Sequence, residues 1–133
     1  SDELRIGLSE GDAAPWVGRG GEVMRIKSTA ETLGGGKPGI DVWRIETDVM
    51  SLMGYMPGDM MLVDTHQAER CRVGDVVIAQ KYSATTGGAT TLFRRLEPPV
   101  LVAAGLSRES RRVHFVDNEN VAIRGKVIAS WRV

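Results

Sequence analysis

The sequence alternates short β-prone apolar runs with turns rich in glycine and proline, and this pattern restricts the fold most. Residues 60–64, 76–82 and 90–97 are the clearest runs. Pro57-Gly58-Asp59 and Gly74-Asp75 supply turn residues before two of them. Long helical periodicity is absent, so the chain is predicted to fold as a mostly β domain of short strands and hairpins.

Further strands are predicted at residues 22–27, 42–48, 100–104, 111–116 and 121–133. The first of these rests on a modest alternation of apolar and charged residues. Gly34-Gly35-Gly36 indicates a loop, and Gly87-Gly88 indicates the tip of a hairpin. The apolar run at 121–133 would be an aggregation hazard at an open sheet edge, so it requires cover.

Composition excludes several classes of protein. The 17 basic and 17 acidic residues balance, so the basic excess typical of a nucleic-acid-binding domain is missing. The single cysteine, Cys71, excludes an internal disulfide and fits a reducing compartment. No apolar run approaches the length of a membrane span, and no signal peptide is recognisable. We therefore expect a cytoplasmic protein.

The chain divides into two parts by composition. Residues 1–21 are polar and glycine-rich, which is typical of a linker or an arm lying on the domain. Residues 22–133 hold the predicted strands and form the domain itself. The opening Ser-Asp-Glu-Leu is unlike a native start, so we expect an excised fragment.

Three segments, in order, resemble the C-terminal domain of the LexA and phage-repressor family, the S24 self-cleaving peptidases. The first spans 48–64 and contains Asp48-Val49-Met50 followed by Gly58-Asp59 and an apolar strand. The second spans 73–79, and the third spans 123–130 with its Gly-Lys-Val-Ile-Ala-Ser ending. The resemblance covers most of the chain from residue 42 onwards. It implies a LexA-like, signal-peptidase-like β fold.

In that family a serine attacks the chain's own peptide bond, and a lysine accepts its proton. The resemblance places Val49 at the serine position and Arg94 at the lysine position. Valine has no hydroxyl, and arginine keeps its proton at any accessible pH. The resemblance therefore implies a domain that has lost its self-cleavage.

The family cuts at an Ala-Gly or Cys-Gly bond a few dozen residues before the nucleophile. Here Ala14-Pro15 lies 35 positions before Val49 (49 − 14), which makes it a candidate vestigial cleavage bond. Proline removes an N–H that an extended substrate strand would use. The segment is alternatively only a linker, and Val17-Gly18 is a nearby alternative bond.

Arg94 shares one strand face with Leu92 and Leu96. If that face is buried, Arg94 requires an acidic partner, for which Asp48 and Glu46 are candidates. The alternative is a half-solvated Arg94 at the mouth of a cleft. A displaced catalytic group, with Ser51 as nucleophile and Lys81 or Ser83 nearby, is a further alternative.

The resemblance implies the C-terminal dimerisation domain of a bacterial or phage-type repressor. A preceding helix-turn-helix domain would bind operator DNA, and derepression would use an antirepressor protein or a ligand. The resemblance also implies a homodimer or higher homo-oligomer, with Val127, Ile128 and Trp131 as candidate interface residues. His66, His114 and Cys71 have no metal-ligand spacing, so neither a metal nor a cofactor is expected.

Two other functions remain open from the sequence. The chain is an active Ser-Lys self-cleaving peptidase if Val49 and Arg94 are misaligned or were introduced to trap an uncleaved form. It is a sensor if the altered cleft binds a small molecule, and an arginine at the mouth would favour an anion.

Overall fold

The structure is a computed structural model that describes residues 11–18 and 22–133. Its strands, β1 to β8, span Ala13–Pro15, Ile40–Ile45, Met60–Asp64, Val76–Tyr82, Ala89–Glu97, Val100–Val102, His114–Phe115 and Val121–Trp131. They form one antiparallel sheet in the order β1-β2-β3-β8-β4-β5-β6-β7. One α-helix, α1 (Val23–Thr32), and three single-turn 3₁₀ helices complete the described part of the chain. The mostly β prediction is confirmed.

The prediction of a strand at 22–27 is wrong, because these residues begin α1. Ile26 and Ala30 are the buried residues of the helix, and their four-residue spacing puts them on one helical face. A six-residue window is too short to separate this period from strand alternation. Gly35 N–H donates to the Ala30 carbonyl at 2.7 Å, so the chain turns immediately after the helix.

The C-terminal strand β8 lies inside the sheet, between β3 and β4, and not at an edge. Its first half, from Val121 to Lys126, pairs with β4, and its second half, from Lys126 to Trp131, pairs with β3, so the run is not an unpaired edge strand. Register shifts on its two sides leave Arg124 and Ile128 as bulge residues. Gly125 is required next to the first bulge, because an added Cβ would lie 2.5 Å from Val63 Cγ1.

The core consists of two apolar clusters that meet at β5. Phe93 belongs to the first cluster, together with Met61, Val63 and Ile78. The side chains of Leu92 and Leu96 point to the opposite face and belong to the second cluster. Each large side chain buried in this way contributes about 1.5–3 kcal/mol. The strand that carries Arg94 is therefore buried on both faces.

The sheet is strongly curled, because the segment preceding β1 reaches β5. Asp12 N–H donates to the Thr91 carbonyl at 3.0 Å. β1 and β5 stand five positions apart in the strand order, which in a flat sheet would separate them by about 24 Å. The residues next to Ala13 thus join two distant parts of the sheet. Within the described ranges, no helix is long and apolar enough to cross a membrane.

Candidate functional site

Asp12 links β1, β2 and β5 through both its backbone and its carboxylate. Its carbonyl accepts from Glu46 N at 2.8 Å and from Thr47 N at 3.3 Å. Carboxylate Oδ1 accepts from the Thr47 hydroxyl at 3.0 Å, and Oδ2 accepts from Phe93 N at 3.1 Å. Oδ2 also accepts from Arg94 Nη1, which makes a buried ion pair. The Asp12 carboxylate thus accepts hydrogen bonds from the backbone and a side chain of β5, and it holds the N-terminal segment against this strand.

Gly11 permits this approach. A Cβ at position 11 would lie 2.5 Å from the Thr91 carbonyl oxygen and 2.8 Å from the Thr91 nitrogen. Both are backbone atoms, so no rotamer change relieves the contact. A residue without a side chain is therefore needed for Asp12 to reach β5.

Arg94 is 0% exposed, so it is neither at a cleft mouth nor half solvated. The prediction that burial requires a carboxylate is correct, but the partner is Asp12 and not Asp48 or Glu46. All three acidic residues, Asp12, Glu46 and Asp48, are far from Arg94 in sequence. Sequence spacing therefore does not indicate which of them binds Arg94. Nη1 also donates to the Phe93 carbonyl at 2.9 Å. Its two hydrogens are therefore both used.

The rest of the Arg94 guanidinium has unused hydrogen-bonding capacity. Among the described residues, nothing accepts from the buried Nε or Nη2 atoms. Arginine has five donor hydrogens, so three remain without a partner. A buried donor without a partner costs about 1–3 kcal/mol. This unused capacity faces Glu109, whose Oε1 lies 3.6 Å from Nη2.

His114 lies beside this group on the short strand β7. Its Nε2 is buried without a hydrogen-bond partner among residues 11–18 and 22–133, and it lies 3.9 Å from Glu109 Oε1. Burial, reinforced by the positive charges of Arg94 and Lys81, lowers the pKa of His114. The imidazole is therefore kept neutral at neutral pH.

Val49 is 2% exposed and lies beneath the segment that follows β6. Ala104 N donates to the Val49 carbonyl at 2.8 Å. The next residue, Gly105, passes so close that a Cβ would lie 2.6 Å from the Asp48 carbonyl oxygen. The position that resembles the family nucleophile thus has an apolar side chain and is closed to solvent.

The structure does not place Val49 and Arg94 together, which corrects the expected pair of positions. Val49 belongs to the first core cluster, to which β5 contributes Phe93. Arg94 pairs with Val77, a member of the second cluster, and so points to the other face. Phe93 is therefore the residue of β5 that shares a cluster with Val49. Like arginine, phenylalanine has no amine that could accept a proton.

The candidate cleavage segment is an edge strand. Ala13, Ala14 and Pro15 form β1 and pair with Ile45, Arg44 and Trp43. Ala13 is fully buried, and Trp16 N continues the pairing by donating to the Val42 carbonyl at 2.9 Å. The Ala14-Pro15 bond is thus held in sheet pairing next to Asp12. The Gly18 end of the alternative bond, Val17-Gly18, borders the residues 19–21 that lie outside the described part.

The residues of the displaced catalytic group occupy different elements. Ser51 begins a single 3₁₀ turn, Ser51–Met53, and its N–H donates to the Asp48 carbonyl at 3.1 Å. Lys81 and Ser83 instead border a cavity that is also lined by Thr90, Glu109 and His114. Ser51 is absent from that lining. The Ser51 hydroxyl and the Lys81 amine thus do not line this cavity together.

The three candidate interface residues have different surroundings. Val127 is half-buried against the first core cluster, and Trp131 is half-buried with its indole Nε1 buried and unpartnered within the described residues. Ile128 occupies the bulge of β8 opposite β3 and is 38% exposed. Of the three, Ile128 has the side chain most available to another molecule.

No group of three His, Cys, Asp or Glu side chains within the described ranges is arranged to hold a metal ion. A scan against protein-family models found no match to this chain, and a search of curated proteins found no significant similarity. The resemblance to the LexA and phage-repressor family therefore stays a prediction carried by the motifs.

Proposed function

We propose that this chain is the assembly domain of a cytoplasmic, repressor-type transcriptional regulator and that it does not cut itself. The assembly role rests on the motifs at 48–64, 73–79 and 123–130 that resemble LexA and the phage repressors. The lack of self-cleavage rests on the residues found where that chemistry would need a hydroxyl and an amine.

The observation that carries the proposal is the buried Asp12–Arg94 pair next to the cleavage-like strand. Self-cleavage requires the scissile segment to reach a nucleophile and a neutral base. Here that segment is paired with β2, and its neighbouring residue, Asp12, holds a permanently charged arginine. The nearby core positions carry Val49 and Phe93, which have no proton-transfer chemistry. The charged residues Asp12 and Arg94 therefore have a structural role in this proposal and not a catalytic one.

In the proposed regulator, two copies of this domain bring together two DNA-reading heads supplied by a helix-turn-helix domain. The spacing between half-sites in the operator would then follow from the dimer geometry. Linking the heads makes the second binding event intramolecular and increases the overall affinity. Release from DNA would need an antirepressor protein or a ligand, since cleavage is not available.

Self-association of the purified chain tests this proposal directly. Light scattering should give the mass of a dimer, and Ile128→Asp should shift it towards the monomer by placing a charge in the interface. Leu106→Asp is the control, because Leu106 is also exposed but belongs to another segment. Circular dichroism checks that both variants are folded.

A functional readout completes the test. Fused to a monomeric helix-turn-helix domain, the chain should increase occupancy of an operator with two half-sites, and Ile128→Asp should remove the increase. A chain that stays monomeric and gives no increase contradicts the assembly role. A dimer that Ile128→Asp leaves intact contradicts this location of the interface.

A further inference from the structure

Two buried nitrogen atoms lie close to a carboxylate oxygen of Glu109, a residue that lines a cavity, without hydrogen-bonding to it. Glu109 Oε1 lies 3.6 Å from Arg94 Nη2 and 3.9 Å from His114 Nε2. Both separations exceed those of a hydrogen bond. Arg94 and His114 are both more than nine-tenths buried, whereas 46% of the Glu109 side chain is exposed. The two nitrogen-bearing side chains are buried, and the carboxylate close to them is partly exposed.

A cavity of about 420 Å³ opens beside these atoms, within the size range of small-molecule sites. Leu92 and His114 form buried parts of its wall. Lys81 and Thr90, which face each other across β4 and β5, line it nearer to solvent together with Ser83. The cavity lining thus combines a buried histidine with a cation and two hydroxyls, and Arg94, which is not part of the lining, lies 3.6 Å from the lining residue Glu109.

We infer that this cavity binds a small organic dicarboxylate, with one carboxylate facing Arg94 and His114 in place of Glu109 and the other facing Lys81. A carboxylate suits the inner position because it offers two acceptor oxygens to the unused hydrogens of a guanidinium. Glu109 already presents this chemical group there, so it acts as an internal competitor. The inference does not depend on the repressor role, since it concerns binding alone.

Glu109 is suited to move aside. It begins the single 3₁₀ turn Glu109–Arg111, and its other oxygen, Oε2, lies 3.5 Å from Arg112 Nε, which is itself largely exposed. None of the three contacts of Glu109 with Arg94, Arg112 and His114 is a hydrogen bond within the described residues. A ligand carboxylate that contacts Arg94 and His114 directly would replace a weak contact with a stronger one.

Succinate is the probe that we would titrate into the intact chain at constant ionic strength, following backbone amide resonances. Saturable shifts should appear at Thr90, Leu92 and His114. Succinamide, a neutral analogue of the same length, should produce none, and acetate should bind more weakly than succinate. Glu109→Gln should tighten succinate binding, whereas Glu31→Gln, an exposed charge loss on α1, should leave it unchanged.

Lys81→Met should weaken succinate binding by about tenfold, the factor that corresponds to losing one hydrogen bond to a charged group. Lys81 is exposed, so this variant is expected to fold.

Absence of saturable shifts, or equal shifts with succinamide, would overturn the inference and assign the space to ordered water. Acetate binding as tightly as succinate, with Lys81→Met unchanged, would overturn the role of the second carboxylate. A Glu109→Gln variant with unaltered affinity would overturn the competitor role.

Discussion

Two aspartate–arginine pairs secure the two ends of the described chain, and they differ mainly in access to water. Asp12–Arg94 holds the residue before β1 against β5, and both side chains are buried. Asp59–Arg132 holds the residue after β8 against the turn before β3; Asp59 is buried, but the Arg132 side chain is 64% exposed. The second pair has two hydrogen bonds to the carboxylate, at 2.7 and 2.9 Å.

The comparison shows that hydrogen-bond geometry alone does not determine how much a pair matters. When an exposed pair is broken, water solvates the remaining charge, so little stability is lost. When a buried pair is broken, the remaining charge stays in the interior without compensation. Asp12 also binds Thr47 and the backbone of β5, which are far from it in sequence, whereas the further hydrogen bond of Asp59 comes from Met56 N, three residues away. We therefore expect the N-terminal pair to dominate.

The largest effect is expected from Asp12→Ala, which leaves Arg94 buried without its counterion. It should lower the free energy of unfolding by about 3–5 kcal/mol, measured by chemical denaturation. The double variant with Arg94→Met should recover part of this loss, because it removes the uncompensated charge. If Asp12→Ala costs no more than Asp59→Ala, the distinction between the two pairs is refuted.

Gly11→Ala tests the close approach that brings Asp12 to β5. The added Cβ meets backbone atoms of Thr91, so the variant should lose about 1–3 kcal/mol of stability. Gly18→Ala is the matched control, since its nearest atom, at 3.3 Å, is the edge of the Trp16 ring. Thermal or chemical unfolding measures both. Equal stability of the two variants would show that residues 11 and 12 do not lie tightly against β5.

A smaller effect should appear as a pH dependence near Arg94. The pKa of His114 is lowered by burial and by neighbouring positive charge, so protonation favours the unfolded chain. Its contribution to stability is complete above pH ~6.5 and falls as the pH drops through the lowered folded-state pKa. Comparing denaturation midpoints at pH 7.5 and 5.5 measures this loss. His114→Gln should reduce it, and an unchanged loss in the variant would exclude His114 as its source.

The smallest effect is expected at Asp59–Arg132, because losing Asp59 leaves an arginine that water already reaches. The hydrogen bond from Arg132 lowers the pKa of Asp59, so the stabilisation is present above the ordinary pKa and lost as the pH falls through the lowered value. At neutral pH, Asp59→Asn should destabilise the chain less than Asp12→Asn does. The difference from the parent chain should shrink in 1 M salt, because salt screens exposed charges. If Asp59→Asn lost as much stability as Asp12→Asn and the loss did not change with salt, the Asp59–Arg132 pair would not be weakened by its exposure to water.

The strands were predictable because alternation and turn residues are local signals. β4 is found at the predicted bounds and β5 begins one residue early, whereas 111–116 shrinks to the two residues of β7. Residues 22–27 were wrongly predicted as a strand because the helical spacing shows only when Ile26 is compared with Ala30. Ala30 lies outside the six residues on which the strand prediction rested. The central place of β8 depends on long-range pairing, which periodicity along the chain does not report.

The site was predictable only in part. Alternation identified the face shared by Leu92, Arg94 and Leu96, and burial there required a carboxylate. The partner, Asp12, is 82 residues away, and no spacing rule joins the two positions. Glu109 and His114 were missed for the same reason. The only local indication was Asp12, a charged residue directly before Ala13-Ala14-Pro15. Its position indicates that a charged partner is needed, but it does not indicate which residue that partner is.

The intact mass of the chain after prolonged incubation at alkaline pH tests the central claim most directly. Members of the family that this chain resembles cleave unaided under those conditions, because their lysine loses its proton. With Val49 and Phe93 in one core cluster and Arg94 bound to Asp12, we predict a single species of unchanged mass. Two fragments separated after Ala14 or Val17, abolished by Ser51→Ala, would show an active peptidase and contradict the account.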